Sequence, residues 1–284
     1  MKVDDVFHGI STLVISVMPD GQNQGTGFFY QQLAPKDPTK EGQWRAIEKT
    51  WLVTNRHVVL PKIGAEEKIP ETLSFHLRKI QGEHIIWDPI ILQKTEFLER
   101  AKFHEDPDVD VCIIEILDLL TEKIKTGDKY LQWYGVSKEN LPGENKIFPE
   151  VSSDTIVIGY PRGFYDEFNL YPICKSGVIA SRWGAKFNGK PYFLIDAKLF
   201  PGSSGSIVIS KPIDFLIQEG KLLHSKEKQF AFLGVFSGEP VEQRPPVELE
   251  DIIIIRKSSF NLGIVWYSYL IEEIIKSGKK CSGT

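Results

Sequence analysis

The chain has 284 residues, with 34 Lys and Arg against 38 Asp and Glu, a formal net charge of −4. That length supports one large domain or two small ones, and the near balance of charge leaves no basic surplus for wrapping a nucleic acid. A hydrophobic content of 42% with 25% charged residues excludes a disordered chain, and the odd, sparse set Cys112, Cys174 and Cys281 argues against a disulfide framework.

The N-terminus sets Asp4 and Asp5 after a single Lys2, without the basic start and unbroken apolar run of a secretory signal. The run from Ile10 to Met18, interrupted by Ser11, Thr12 and Ser16 and rich in β-branched residues, predicts a first strand ending at the turn Pro19-Asp20-Gly21. Short β-branched or aromatic segments follow at 27–30, 51–54, 73–77, 111–114, 155–158, 192–195, 206–209 and 230–233, punctuated by Gly, Pro, Asn or Asp. This series predicts an all-β sandwich or barrel rather than alternating βα units. Only two segments show helical periodicity: 116–125, through Leu117, Leu119, Leu120 and Ile124, and 267–276, through Leu270, Ile271, Ile274 and Ile275. The polar stretch 121–148 is expected to join two β units, and 238–250, with Pro240, Pro245 and Pro246, to form a long acidic loop. Cys112 and Cys174 lie in apolar segments and are expected in the core. No run reaches the roughly 18 to 20 apolar residues of a membrane-spanning helix; Ile252–Ile255 stops at Arg256-Lys257. The expectation is a cytoplasmic protein without nucleic-acid or membrane partners.

Three local motifs carry chemistry. In Pro201-Gly202-Ser203-Ser204-Gly205-Ser206, a small-residue loop lies between two apolar segments. A nucleophilic serine needs an exposed hydroxyl on a sharp turn with backbone N–H groups free beside it, and the flanking glycines supply that room. Trp51–Val59 is an apolar strand ending in a polar turn that presents His57, the residue type best suited as a general base near neutral pH. His8, His76, His84, His104 and His224 have no comparable setting. The third motif, Asp108-Val109-Asp110-Val111-Cys112-Ile113-Ile114, puts acids at the head of a buried strand, where one needs a partner such as a histidine held in a single tautomer. Asp110 directly precedes the apolar run and is preferred over Asp108. In chain order these are His, Asp and Ser, each at the edge of a β segment. That is a basis for nucleophilic catalysis by Ser204, with His57 as base and Asp110 as its orienting acid.

On these motifs the chain resembles trypsin-like serine peptidases of the chymotrypsin fold, most closely the HtrA/DegP-type protease domain without a PDZ domain. The resemblance rests on Gly25-Thr26-Gly27-Phe28, Thr54-Asn55-Arg56-His57-Val58-Val59, Asp110–Ile114 and Gly202–Ser206. It is supported by Ile158–Gly163, Ser176–Ser181, Asp196-Ala197-Lys198, Leu233-Gly234-Val235 and Asn261–Val265, so that it runs from about residue 7 to residue 276. It implies two six-stranded antiparallel β-barrels and a C-terminal helix: a first barrel over 7–120, a connection over 121–150, and a second barrel with the closing helix over 151–276. It further implies an oxyanion hole of the Gly202 and Ser204 N–H groups. Substrate would bind along the edge Val235, Phe236, Ser237 and Gly238, with a specificity wall of Lys198, Leu199 and Phe200. No metal or organic cofactor is implied. The partners are a protein or peptide substrate and, in regulated relatives, a regulatory protein. Two departures stand out: Ser206 replaces a glycine, and Ser203 an Asn or Asp.

If Lys198 turned inward it would favour an acidic P1 residue; if it points outward, Leu199 and Phe200 favour an aliphatic one, which is the preferred expectation. A basic P1 is not expected. The acidic loop 238–250 is expected to control access to the cleft, and its glutamates 239, 242, 248 and 250 to disfavour acidic substrates nearby. The competing class is a catalytically silent protease-fold binding module in a regulatory or defence complex; its usual mark, a lost triad residue, is missing.

Overall fold

A computed structural model describes residues 3–36, 45–63, 66–243, 247–249, 252–254 and 257–281, and among these the side chains other than those of Ile63 and 241–259. The first unit holds β1 (Ser11–Met18), β2 (Gly21–Leu33), β3 (Ile47–Thr54), β4 (Lys62–Ile63), β5 (Glu66–Glu67), β6 (Thr72–Gln81), β7 (His84–Gln93), β8 (Ala101–Phe103), β9 (Cys112–Glu115) and β10 (Gly135–Ser137). The second holds β11 (Asp154–Gly159), β12 (Ile173–Ile179), β13 (Tyr192–Asp196), β14 (Ile207–Ser210), β15 (Ile213–Gln218), β16 (Lys221–Gln229), β17 (Phe232–Gly238), β18 (Val241–Gln243), β19 (Val247–Leu249), β20 (Ile252–Ile254), β21 (Lys257–Ser259) and β22 (Leu262–Tyr267). A last strand, β23 (Lys279–Lys280), returns to the first unit.

The second unit closes as the expected six-stranded barrel, in the order β11-β12-β13-β22-β17-β14. The first unit departs from six strands. Nine strands run β23-β8-β9-β3-β2-β1-β6-β7, with β10 parallel to β2. The long β6–β7 hairpin extends one edge and β23 the other, antiparallel to β8. β10 comes from the stretch expected to be a connection. A protruding hairpin, β15–β16, was not foreseen. In the region expected as an acidic loop, β18 pairs with β21 and β19 with β20. Glu250 lies outside the described residues, as do the side chains of Glu242 and Glu248.

Both expected helices form, as α4 (Leu117–Lys125) and α5 (Tyr269–Ser277), once α1 (Val3–Ile10), α2 (Arg56–Val59) and α3 (Lys94–Arg100) are counted first. Those three were not predicted, because one or two turns are too short for periodicity to register. Local chemistry still explains them. Asp4 and Asp5 complement the N-terminal end of α1 while Val6, Phe7 and Ile10 turn inward. A capping box between Gln93 and Glu96 starts α3, which buries Phe97.

One continuous core joins the units: Phe28, Tyr30, Trp51 and Val53 pack with Ile158, Ile207, Phe232 and Val235, and α5 seals it with Leu270, Ile271 and Ile274. Each such buried side chain contributes roughly 1.5–3 kcal/mol, so the seam between the units is itself a core. Cys112 is buried as expected, its thiol pKa pushed up by burial. Cys174 is exposed, contrary to expectation, because along β12 it shares the outward face with Ser176. Among the described residues no helix is long and apolar enough to cross a membrane.

Candidate active site

β3 ends at Thr54, and α2 turns the chain so that the buried Val58 and Val59 hold the turn while the His57 ring stays partly exposed. Asp110 precedes β9, which pairs with β3 from Trp51 to Thr54 and thereby brings the carboxylate to the turn. Asp110 Oδ2 lies 2.6 Å from His57 Nδ1, and Oδ1 accepts the His57 backbone N–H at 2.9 Å. The Asn55 side chain donates to the Asp110 carbonyl at 2.7 Å, fixing the same peptide from behind. A carboxylate at Nδ1 selects the tautomer that leaves Nε2 as acceptor. Asp108 is elsewhere: exposed, it pairs with Lys190 at 2.8 Å, which holds its carboxyl below the usual range. The geometry therefore brings Asp110, and not Asp108, to His57.

The nucleophile loop lies between β13 and β14. Gly202 has φ +87°, and a Cβ there would stand 2.6 Å from Arg162 N; Gly205 has φ +85°, with its Cβ position 2.0 Å from Thr26 O. Both positions exclude a side chain. In this conformation Ser203 N–H donates to Phe200 O at 3.1 Å, Gly205 N–H to Phe236 O at 2.8 Å and Ser206 N–H to Ser203 O at 2.9 Å. The N–H groups of Gly202 and Ser204 donate to nothing among the described residues. Ser203 and Ser206 are both buried, and the Ser206 hydroxyl occupies the space where Gly159 has no side chain.

The Ser204 hydroxyl donates to the Ser237 carbonyl at 2.8 Å, and no hydrogen bond joins it to His57 among the described residues. Ser237 is thus a link: its carbonyl accepts the hydrogen bond of the Ser204 hydroxyl, and its own hydroxyl donates to Asp110 Oδ2 at 2.6 Å. The sequence pointed to Ser237 only as part of a substrate edge. Thr26 was likewise noticed only within a motif, yet it ties the loop to the first unit. Its N–H donates to Ser204 O at 2.8 Å, its hydroxyl to Gly202 O at 3.0 Å, and that hydroxyl accepts from Tyr160 N–H at 2.9 Å. Gly25, whose Cβ would stand 3.0 Å from Ser204 O, leaves room for this contact.

Of the expected wall, Leu199 is buried in the second barrel's core, Phe200 stays partly exposed, and Lys198 is exposed, so the inward-facing lysine is not observed. Val235 and Phe236 bury their side chains, and their backbones are also taken, Val235 by both neighbouring strands, so the expected edge narrows to Ser237 and Gly238. The ladder with β14 ends at Val235, and Phe236 bonds to Gly205 and Ser206, so β14 does not occupy the edge from Ser237 to Gly238. Behind His57, Arg56 makes two 2.7 Å bonds to Glu67 and lies over the Phe103 ring. The bond from Arg56 holds the Glu67 carboxyl below its usual range.

The family model of the trypsin-like peptidase domain matches residues 25–212. Among solved structures, the chain is similar to the serine endoprotease from Yersinia pestis at 13% identity and TM-score 0.44, over 95% of this chain and 62% of that one. It is similar to tobacco etch virus protease complexed with product at 10% and 0.48, over 100% and 85% of the two chains. It is also similar to the scabies mite inactivated protease paralogue S-I1 at 16% and 0.47, over 97% and 99%. No curated protein matches the sequence.

Proposed function

The chain belongs to the trypsin-like peptidase domain family, and from that premise we propose that it is an active serine endopeptidase, cytoplasmic and regulated, that cuts protein or peptide substrates through an acyl-enzyme. The supporting observation is the chain of contacts His57–Asp110–Ser237–Ser204 beside two undonated N–H groups. In the proposed reaction, rotation of the Ser204 side chain releases Ser237 and turns the hydroxyl to His57 Nε2. His57 takes the proton as Oγ attacks the scissile carbonyl, and Asp110 stabilises the imidazolium. The oxyanion is received by Gly202 and Ser204 N–H, each such donor contributing about 3–4 kcal/mol to the transition state. The imidazolium protonates the leaving amine, and water repeats the sequence to free the acid. With Lys198 outward, an aliphatic P1 residue remains the preferred reading.

One observation favours a second reading, a silent binding module: the Ser204 hydroxyl rests on Ser237 and not on His57. A fluorophosphonate probe separates the two. Labelling of the wild type but not of Ser204→Ala supports the peptidase. An unlabelled wild type, alone and with peptides that occupy the cleft, supports the module.

A further inference from the structure

Three cations converge on one phenyl ring next to the nucleophile loop. Lys175 Nζ is 4.7 Å, the Arg162 guanidinium 5.2 Å and Lys198 Nζ 6.0 Å from the centroid of Phe200. A ring has two faces and can stabilise a cation on each, so three positive groups around it leave a surplus of mutual repulsion. None of the three forms an ion pair with a carboxylate among the described residues. Phe200 is 36% exposed, and Arg162 and Lys198 are open to solvent, so the charge faces a surface that a ligand can reach.

The position of Arg162 is enforced. It adopts φ 52°, ψ 24°, a left-handed conformation unusual for a residue other than Gly, Asn or Asp. Its N–H donates to Pro201 O at 2.6 Å, and Gly202 lacks a side chain where the Arg162 backbone passes. Strain at a conformation so tightly determined by the oxyanion loop marks a residue placed for a task. Phe200 and Pro201 lie immediately before Gly202, so the cationic group adjoins the start of the loop, whereas Gly205 and Ser206 at its end bond Phe236.

We propose that Arg162, Lys175 and Lys198, arranged about Phe200, form an anion-binding subsite for an aspartate or glutamate on the leaving-group side of the scissile bond. This rests on the peptidase reading above, in which substrate lies along the Ser237–Gly238 edge; with that edge assigned to the acyl side as part of the proposal, the Arg162 flank is left for the residues that depart. It differs from an acidic P1 pocket, since the charges surround the outer face of the loop and Lys198 does not point inward.

The test uses the full chain and peptides of one fixed sequence with an aliphatic P1, carrying Glu, Gln or Lys singly at each position from P3 to P3′. Glu at P1′ or P2′ is expected to raise kcat/KM about tenfold over Gln at low salt, as several exposed ion pairs acting together would, with Lys below Gln. The preference should fade at 0.5 M salt and vanish in the triple variant Arg162→Gln, Lys175→Gln, Lys198→Gln, read as the Glu-to-Gln ratio within that variant so that any change in its overall rate cancels. Peptide binding to Ser204→Ala, followed by anisotropy, gives the same comparison without turnover. Equal values for Glu and Gln at every primed position, or a preference that survives in the triple variant, overturn the subsite. Tighter binding of the Glu peptide by Ser204→Ala with no labelling of the wild type supports the subsite and overturns the peptidase reading instead.

Discussion

The two halves of the candidate site are held by different means. The base half is fastened by side chains: Asp110 grips both the ring and the backbone N–H of His57, and Asn55 holds Asp110 in turn. The nucleophile half is fastened largely by backbone, through glycines at positive φ and the Thr26 N–H bond to Ser204 O, with one side chain, the Thr26 hydroxyl, bonding Gly202 and Tyr160 across the seam. Side-chain fastening fixes a ring orientation and tautomer, whereas backbone fastening leaves chosen N–H groups undonated. A base needs the first and an oxyanion hole the second. Among the described residues, Ser237 alone hydrogen-bonds both Asp110 and Ser204.

The largest effect is expected from breaking the base half. Asp110→Asn keeps the shape but offers Nδ1 a donor or the wrong tautomer, and kcat should fall about 10⁴-fold with the fold intact by circular dichroism. A loss of less than tenfold would mean that Asp110 does not orient His57. The nucleophile half should break differently. In Gly205→Ala the new Cβ has no space beside Thr26 O and the residue must hold φ +85°, so stability should drop by about 3 kcal/mol or more. Thermal denaturation reads this directly, and labelling should fail together with the fold. An unchanged melting temperature would show that the loop adapts and is not fastened by backbone.

This contrast bears on what a sequence discloses. His57, Asp110 and Ser204 were legible because each stands at the end of a short apolar run, where period and turn chemistry are local. The all-β class followed from the same runs. Ser237 was not legible as a link, since its bond to Asp110 spans 127 positions and depends on the seating of one unit against the other. The same holds for β10 and β23, whose residues have no strand pattern of their own and are recruited by an exposed edge. The orientations of Lys198 and Cys174, in contrast, were available: Ala197 and Leu199 face in, so Lys198 and Phe200 alternate out, and Cys174 lies on the same face as the polar Ser176.

Ser237→Ala sharpens the comparison by cutting the side-chain link while keeping the carbonyl. Asp110 Oδ2 loses one of its two donors but keeps His57, so kcat should fall about tenfold, well short of Asp110→Asn, given roughly 1–1.5 kcal/mol for one charge-assisted bond. If kcat is unchanged, Ser237 acts only through its carbonyl.

The smallest effect concerns the support behind the base half. The Glu67 carboxyl is held low first by the hydrogen bond from Arg56, against the opposing effect of burial. A group whose folded pKa lies below its unfolded one contributes stability at pH above the unfolded value, here 4.5, and loses it as pH falls through the lowered folded value. Glu67→Gln removes the charge while keeping the shape. It should cost about 1 kcal/mol at pH 7, since both partners are partly buried and the pairing is bidentate. The Arg56 guanidinium keeps its place over Phe103, so α2 stays folded and kcat changes less than twofold. Denaturant melts of wild type and variant from pH 7 to pH 3 should therefore differ by a constant amount down to about pH 5 and converge below 4.5. A gap that stays constant to pH 3 would mean that Glu67 acts through packing and not through its charge, and the base half would then rest on Asp110 and Asn55 without electrostatic support from behind.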